Sequence, residues 1–238
     1  MSSAGAKVAE QFARETDGFV VEVLHQDGDY RHIRFGRPGE TWGSTDVHTW
    51  PGGVVTSGDM ADGWMFTRPL EFFTGRVNLH YWQEKLTRGC RLQSREFSLD
   101  TLRASVRYAA DDFDVPAEHR AELDAKLADL IKDIEWDSTS DSARNRLDEF
   151  EFAYTDIDGV SRTVEFYDVS DIDAEDYTWH FTWACHVLHE VARHLAPTPE
   201  PKPAVNECGR CGYEAPATPG AIYRGCPRCD LTVEEKTK

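Results

Sequence analysis

The sequence predicts an α+β protein in which an antiparallel sheet packs with helices and is followed by a small zinc ribbon. Three observations lead to this prediction. Short alternating runs separated by Gly- and Pro-containing turns fill the first 70 positions, an amphipathic stretch begins near residue 116, and two CxxC pairs lie near the C-terminus. With 238 residues and 40% hydrophobic content, the chain can form one medium domain and a small module.

The N-terminal third predicts a helix followed by a β-meander. Residues 4–15 place Val8 and Phe12 on one helical face. An Asp-Gly turn at Asp27-Gly28 between two β-rich runs is typical of a hairpin, and Pro51-Gly52-Gly53 marks a later turn. The predicted strands are 19–26, 30–35, 41–50, 54–58 and 64–68.

The middle of the chain is predicted to be mainly helical. Ser98 or Asp100 can cap a helix over 98–112, and the clearest amphipathic helix spans 116–136. The apolar stripe of the second helix consists of Leu123, Leu127, Leu130, Ile131 and Ile134. A second hairpin is predicted from 150–154 and 160–169, and 176–195 returns to helix.

Proline spacing predicts the domain boundary. The run APTPEPKPAV is typical of an extended polyproline II spacer. The predicted parts are a body over 1–195, a linker over 196–206, a zinc ribbon over 207–231 and a tail over 232–238.

The formal charge of −17 is concentrated in one segment. Residues 111–176 carry 22 acidic and 6 basic side chains, whereas the rest of the chain nearly balances. Such a segment repels nucleic acid and can attract a basic protein surface, although it can also serve only to keep the protein soluble. The residues predicted to meet a partner are Glu118, Glu122, Asp129 and Asp133, on the amphipathic helix.

The four C-terminal cysteines predict one structural Zn²⁺ per chain. Cys208 and Cys211 form one pair and Cys226 and Cys229 the other, and four thiolates complete the tetrahedral shell that zinc prefers. Two disulfides are the alternative. The ribbon resembles appendages of many nucleic-acid-handling and multi-subunit proteins, and its arginines offer phosphate contacts.

Two other groups of residues could hold a metal or perform catalysis. The histidines of the last helix do not have the HExxH spacing of zinc proteases, which leaves a solvated face as the main interpretation. Asp46 and His48 share a strand face and Asp59 follows a nearby turn, so these three could act in acid–base chemistry or bind a divalent ion. No P-loop, dinucleotide-binding, nucleophile-elbow or kinase signature occurs.

The chain contains no apolar run of the ~20 residues that a membrane span needs, and its first residues lack the apolar core of a signal peptide. The expected location is therefore a reducing cytoplasm, with no membrane partner.

Four stretches resemble a family of uncharacterised phage and prophage proteins over about residues 19–195. They are RHIRFGRPGE (31–40), VHTWPGGVVTSGDM (47–60), FTRPLEFF (66–73) and DAEDYTWHFTWACHVLHEV (173–191). The chain departs from the family pattern at Ala61-Asp62, where a glycine is usual, and by its added ribbon. The resemblance implies a virus-encoded protein in the cytoplasm of a bacterial host, and it specifies no activity and no catalytic residues.

Three functional hypotheses follow from these observations. The first is a phage-encoded, non-enzymatic binding protein that modulates or inhibits a host factor, such as a component of a host defence system, through its own acidic surface, which meets a basic surface of that factor. The second is a nucleic-acid-associated protein that uses the ribbon. The third is a metal-dependent hydrolase built on Asp46, His48 and Asp59.

Overall fold

The computed structural model describes residues 3–61, 63–135 and 139–196, together with two short strands further on. The chain divides into two compact units, residues 1–195 and 196–238.

Five strands of the first unit form one antiparallel sheet in chain order, as the sequence predicted. They are β1 (Val20–Asp27), β2 (Tyr30–Gly36), β3 (Thr45–Trp50), β4 (Gly53–Gly58) and β5 (Met65–Phe66). The β1–β2 turn uses Gly28 at φ 58° and the β3–β4 turn uses Gly52 at φ 82°, a left-handed conformation that favours glycine. Seven helices accompany the sheet within the described residues, so the α+β class is confirmed.

One face of this sheet packs on helices and forms the first hydrophobic core. Helix α7 (Trp179–Leu195) lies at the centre of that core and buries nine of its residues, because apolar side chains recur along most of its circumference. Helix α1 (Ser3–Glu15) packs along α7, where Phe12 meets Trp183 edge to face with ring centroids 4.9 Å apart. A 3-10 helix (Leu70–Thr74) and the short helices α2 (Leu79–Gln83) and α3 (Arg88–Gln93) complete this part of the fold.

A long segment between β6 (Arg95–Phe97) and β9 (Glu175–Tyr177) has a hydrophobic core of its own. The two strands pair antiparallel, and a hydrogen bond from Ser98 N to Ala174 O, 2.9 Å long, closes the ladder. We call residues 98–174 the insert, and residues 3–97 with 175–195 the sheet body.

The insert contains three helices and a hairpin. Its elements are α4 (Leu99–Asp111), α5 (Ala117–Glu135), α6 (Ser140–Asp148), β7 (Glu151–Thr155) and β8 (Ser161–Glu165). The Ser98 side chain caps α4 by accepting from Thr101 N at 3.2 Å, which confirms one of the two predicted caps. The predicted apolar stripe of α5 faces the core of the insert, where Leu123 and Ile134 are fully buried.

In the second unit, the described residues form the strands β10 (Val205–Glu207) and β11 (Glu214–Pro216), which pair antiparallel. The predicted ribbon over 207–231, the linker over 196–206 and the tail over 232–238 otherwise lie almost entirely outside the described residues.

Candidate functional site

The open face of the sheet carries a cluster of two histidines and an aspartate. Residues of β3 alternate, so Thr45, Val47 and Thr49 point into the core while Asp46 and His48 point to the other face. On β2, His32 pairs directly with His48. Cross-strand partners share one face of a sheet, and the ligand atoms of His32, Asp46 and His48 all lie within 4.8 Å of one another. We call these three residues the His–Asp cluster.

An arginine holds the carboxylate of the cluster in place. Arg34 is the register partner of Asp46, and its Nε and Nη2 donate to Asp46 Oδ1 at 2.8 Å and to Oδ2 at 3.1 Å. Burial alone would raise the pKa of Asp46, but the hydrogen bonds from Arg34 and the proximity of His32 outweigh it and keep the pKa below its ordinary value. The carboxylate is therefore ionised at neutral pH.

The two imidazoles are stacked, with ring centroids 4.3 Å apart. Burial lowers the pKa of His48, and the charge of His32 lowers it further, while Asp46 opposes the change. A neutral His48 therefore predominates at neutral pH, and a neutral imidazole can ligate a metal. His32 Nε2 lies 3.2 Å from Asp46 Oδ2, but the geometry of this contact is not that of a hydrogen bond.

The structure brings together only part of the predicted Asp46, His48 and Asp59 group. Asp59 is exposed and its Oδ2 accepts a hydrogen bond from Gly43 N at 2.9 Å, outside the cluster. His32 supplies the third group instead, and sequence reasoning missed it. Alternation in β2 placed His32 on the polar face, but its pairing with His48 depends on the register across the 37–44 loop.

All four predicted partner-binding acids are exposed on α5. At 100° per residue their directions fall within about 60° of one another, and the buried stripe lies on the opposite side of the helix. At a rise of about 1.5 Å per residue they span roughly 22 Å. We call Glu118, Glu122, Asp129 and Asp133 the acidic strip.

The insert as a whole is strongly acidic. Residues 98–174 carry 21 acidic and 8 basic side chains, which gives −13 of the total −17. Two of the basic side chains donate to backbone carbonyls. Arg120 reaches Ala110 O at 2.8 Å and Phe113 O at 3.2 Å, and Lys126 donates to Glu151 O.

A groove of about 700 Å³ lies between α4 and the segment that follows β8. Phe113 and Phe166 contribute to it with ring centroids 5.2 Å apart, and the highly exposed Tyr108 and Tyr167 also line it. Its acidic residues are Asp112, Glu165, Asp168 and Asp171. The groove thus combines aromatic surface with negative charge.

The remaining sequence candidates form no such site within the described residues. On α7, His189 Nδ1 lies 3.1 Å from Phe73 O and His186 stacks on Phe12 at 5.2 Å. Within the described residues, no α7 histidine belongs to a group of three potential ligands whose ligand atoms all lie within 4.8 Å of one another. Cys208, Cys211, Cys226 and Cys229, the predicted zinc ligands, lie outside the described residues.

The fold and its sites define an α+β protein with an acidic insert and a His–Asp cluster on an open sheet face. No family model, curated protein or solved structure matches this chain. Among the described helices, none has the length and apolarity needed to cross a bilayer.

Proposed function

We propose that the protein is a non-enzymatic binding protein that docks a basic partner protein on the acidic strip of its insert. One observation carries the proposal: four exposed carboxylates share the side of α5 that faces away from the core. Opposite the buried stripe of α5, the four carboxylates form a linear array that can meet a basic helix or strand along its whole length.

The insert's own cations support the same conclusion. Arg120 and Lys126 donate to backbone carbonyls, and these hydrogen bonds link α5 to α4 and to β7 within the insert. The insert as a whole nets −13, and this negative charge can steer a basic partner during diffusion.

The groove between α4 and the segment that follows β8 offers a second negatively charged contact area, which also has aromatic surface. A lysine or arginine side chain could lay its aliphatic stem on Phe113 or Tyr167 while its charge meets Asp168 or Asp171. The resemblance to phage proteins makes a host protein the expected partner, encountered in the host cytoplasm.

A structural zinc ribbon at the C-terminus belongs to this proposal as a separate module. The paired strands β10 and β11 flank Cys208 and Cys211 in the sequence, which suits a hairpin that presents the first cysteine pair to one Zn²⁺.

The test uses a synthetic peptide rich in lysine and arginine as the probe. The variant Glu118→Gln, Glu122→Gln, Asp129→Asn, Asp133→Asn removes the four charges with little change of shape. If each exposed pair contributes about 0.5 kcal/mol, the loss is about 2 kcal/mol, or roughly 30-fold in affinity at low salt. Moderate salt should weaken binding by the wild type and reduce the difference between the two proteins.

A matched control distinguishes local docking from general charge. It changes four exposed acids of the sheet body to their amides, namely Glu10, Asp17, Asp27 and Glu40. This control has the same net charge as the test variant and should retain most of the affinity. Equal losses in both variants would reject a docking strip, and unchanged binding in the test variant would leave solubility as the role of the acids.

A further inference from the structure

The geometry points to a divalent transition-metal site formed by His32, Asp46 and His48 on the open face of the sheet. This inference is independent of the proposed docking function, because the cluster belongs to the sheet body and the acidic strip to the insert.

The strongest evidence is the distance between two of the ligand atoms. His32 Nε2 and Asp46 Oδ2 are 3.2 Å apart. Two ligands at about 2.1 Å from a shared ion and 3.2 Å from each other subtend about 100° at the metal, between the octahedral and tetrahedral values. The third ligand atom, from His48, lies within 4.8 Å of both, and the His48 ring must rotate out of its stack on His32 to direct a nitrogen at the same ion.

The unsatisfied nitrogen of His32 is a second, separate observation. Nε2 is shielded from solvent and makes no hydrogen bond of acceptable geometry, although it faces a carboxylate. A buried polar atom without a partner costs free energy, and coordination of a cation would satisfy it.

Arg34 supplies the support that a ligating carboxylate usually has. It donates to Asp46 Oδ1 at 2.8 Å and to Oδ2 at 3.1 Å, so the whole carboxylate is fixed, and the second lone pair of Oδ2 remains for an ion. The same guanidinium places a positive charge near the site, and the ion must therefore be held by directional bonds rather than by negative potential. Imidazole nitrogens form such bonds with zinc, iron, cobalt and nickel, but poorly with magnesium or calcium.

The site leaves coordination positions open. On β4 the register partners are Ser57 for Asp46 and Val55 for His48, and neither offers a carboxylate or an imidazole. On β1 the register partner of His32 is His25, an imidazole that lies outside the group of three whose ligand atoms are within 4.8 Å of one another. Water or a small anion could therefore complete the coordination, as in metal sites that bind exchangeable ligands.

The experiment titrates full-length protein, first stripped with a chelator, with Zn²⁺ by calorimetry and with Co²⁺ by absorption. Co²⁺ held by nitrogen and oxygen gives weak ligand-field bands, whereas thiolates of the predicted ribbon add intense sulfur-to-metal charge transfer. The two sites can therefore be counted separately. Mg²⁺ serves as the probe that should not bind.

We expect His32→Gln and His48→Gln to weaken binding at the nitrogen–oxygen site about 100-fold or more, since loss of supporting residues alone costs 10- to 100-fold. The control His80→Ala removes an exposed histidine of α2 that lies 3.8 Å from Glu84, and should retain full binding. Melting of each variant in excess chelator checks that the fold is intact.

Wild-type protein that binds no more Zn²⁺ than His48→Gln, or a Co²⁺ spectrum with only thiolate character, would overturn the assignment. A fall in binding that is equal in the His80 control would do the same.

Discussion

Leu123→Ala should unfold the insert before the sheet body. Leu123 is fully buried in the core of the insert, and that core shares none of its buried residues with the core beneath the sheet. Deleting such a side chain costs about 3 kcal/mol through lost burial and the cavity left behind. With an m-value of about 1.5 kcal/mol/M in urea for a unit of this size, the midpoint of the insert should fall by about 2 M.

The positions of the tryptophans make this shift measurable. Six of the seven lie in the sheet body, and the seventh, Trp136, belongs to the insert. In a Trp136→Phe background, fluorescence therefore reports the sheet body, while circular dichroism reports helices of both parts. We expect Leu123→Ala to produce an early transition in the dichroism while the fluorescence midpoint changes little.

Leu188→Ala is the matched control, because Leu188 is equally buried but lies on α7 in the other core. It should lower the fluorescence midpoint instead. If Leu123→Ala moves both signals together by the same amount, the β6–β9 ladder couples the two cores into one cooperative unit and the reasoning fails.

Two further predictions concern the predicted zinc ligands of the ribbon and the partly buried histidines His48 and His186. Cys208→Ser should lower the zinc content by one equivalent while Cys90→Ser leaves it unchanged, as measured by elemental analysis; the reverse result would remove the ribbon assignment. Acidification from pH 7.5 to 5 should lower the melting temperature, because burial lowers the pKa of both His48 and His186 and the folded state therefore favours their neutral forms. The stability that these two histidines contribute is fully present above the unfolded pKa of about 6.5 and is lost as the pH falls through their pKa values in the folded state. The variant His186→Gln should therefore make the melting temperature depend less steeply on pH. An unchanged dependence in this variant would contradict the argument.

Sequence patterns predicted the elements whose signals are local and repeated. The meander follows from alternation in segments such as β3, and α5 follows from a stripe of apolar residues at helical spacing. Helix α6 was missed because it is short and polar, and only Ala143 and Leu147 anchor it. The insert was missed as a unit because its two ends pair through three-residue strands about 80 positions apart, without any local signal.

The candidate sites divide in the same way. The acidic strip was predictable because it needs only the period of one helix. The His–Asp cluster was half predictable, since Asp46 and His48 share one strand, while His32 depends on a cross-strand register. That Arg120 donates to the carbonyl of Ala110 instead of an acid depends on the packing of α5 beside α4, which no local pattern specifies.

The uneven charge of the chain keeps the two proposed sites chemically distinct. The insert accounts for −13, and the cation nearest the His–Asp cluster is Arg34, which already neutralises Asp46. A diffuse negative field that attracts a basic protein would also gather divalent cations without selectivity. A transition-metal site is therefore more selective in the sheet body, because imidazole coordination and not net charge determines there which ion binds. The acidic strip, in turn, is formed by carboxylates alone and contains no imidazole that would bind a transition metal. It can therefore recruit a cationic protein surface through long-range attraction.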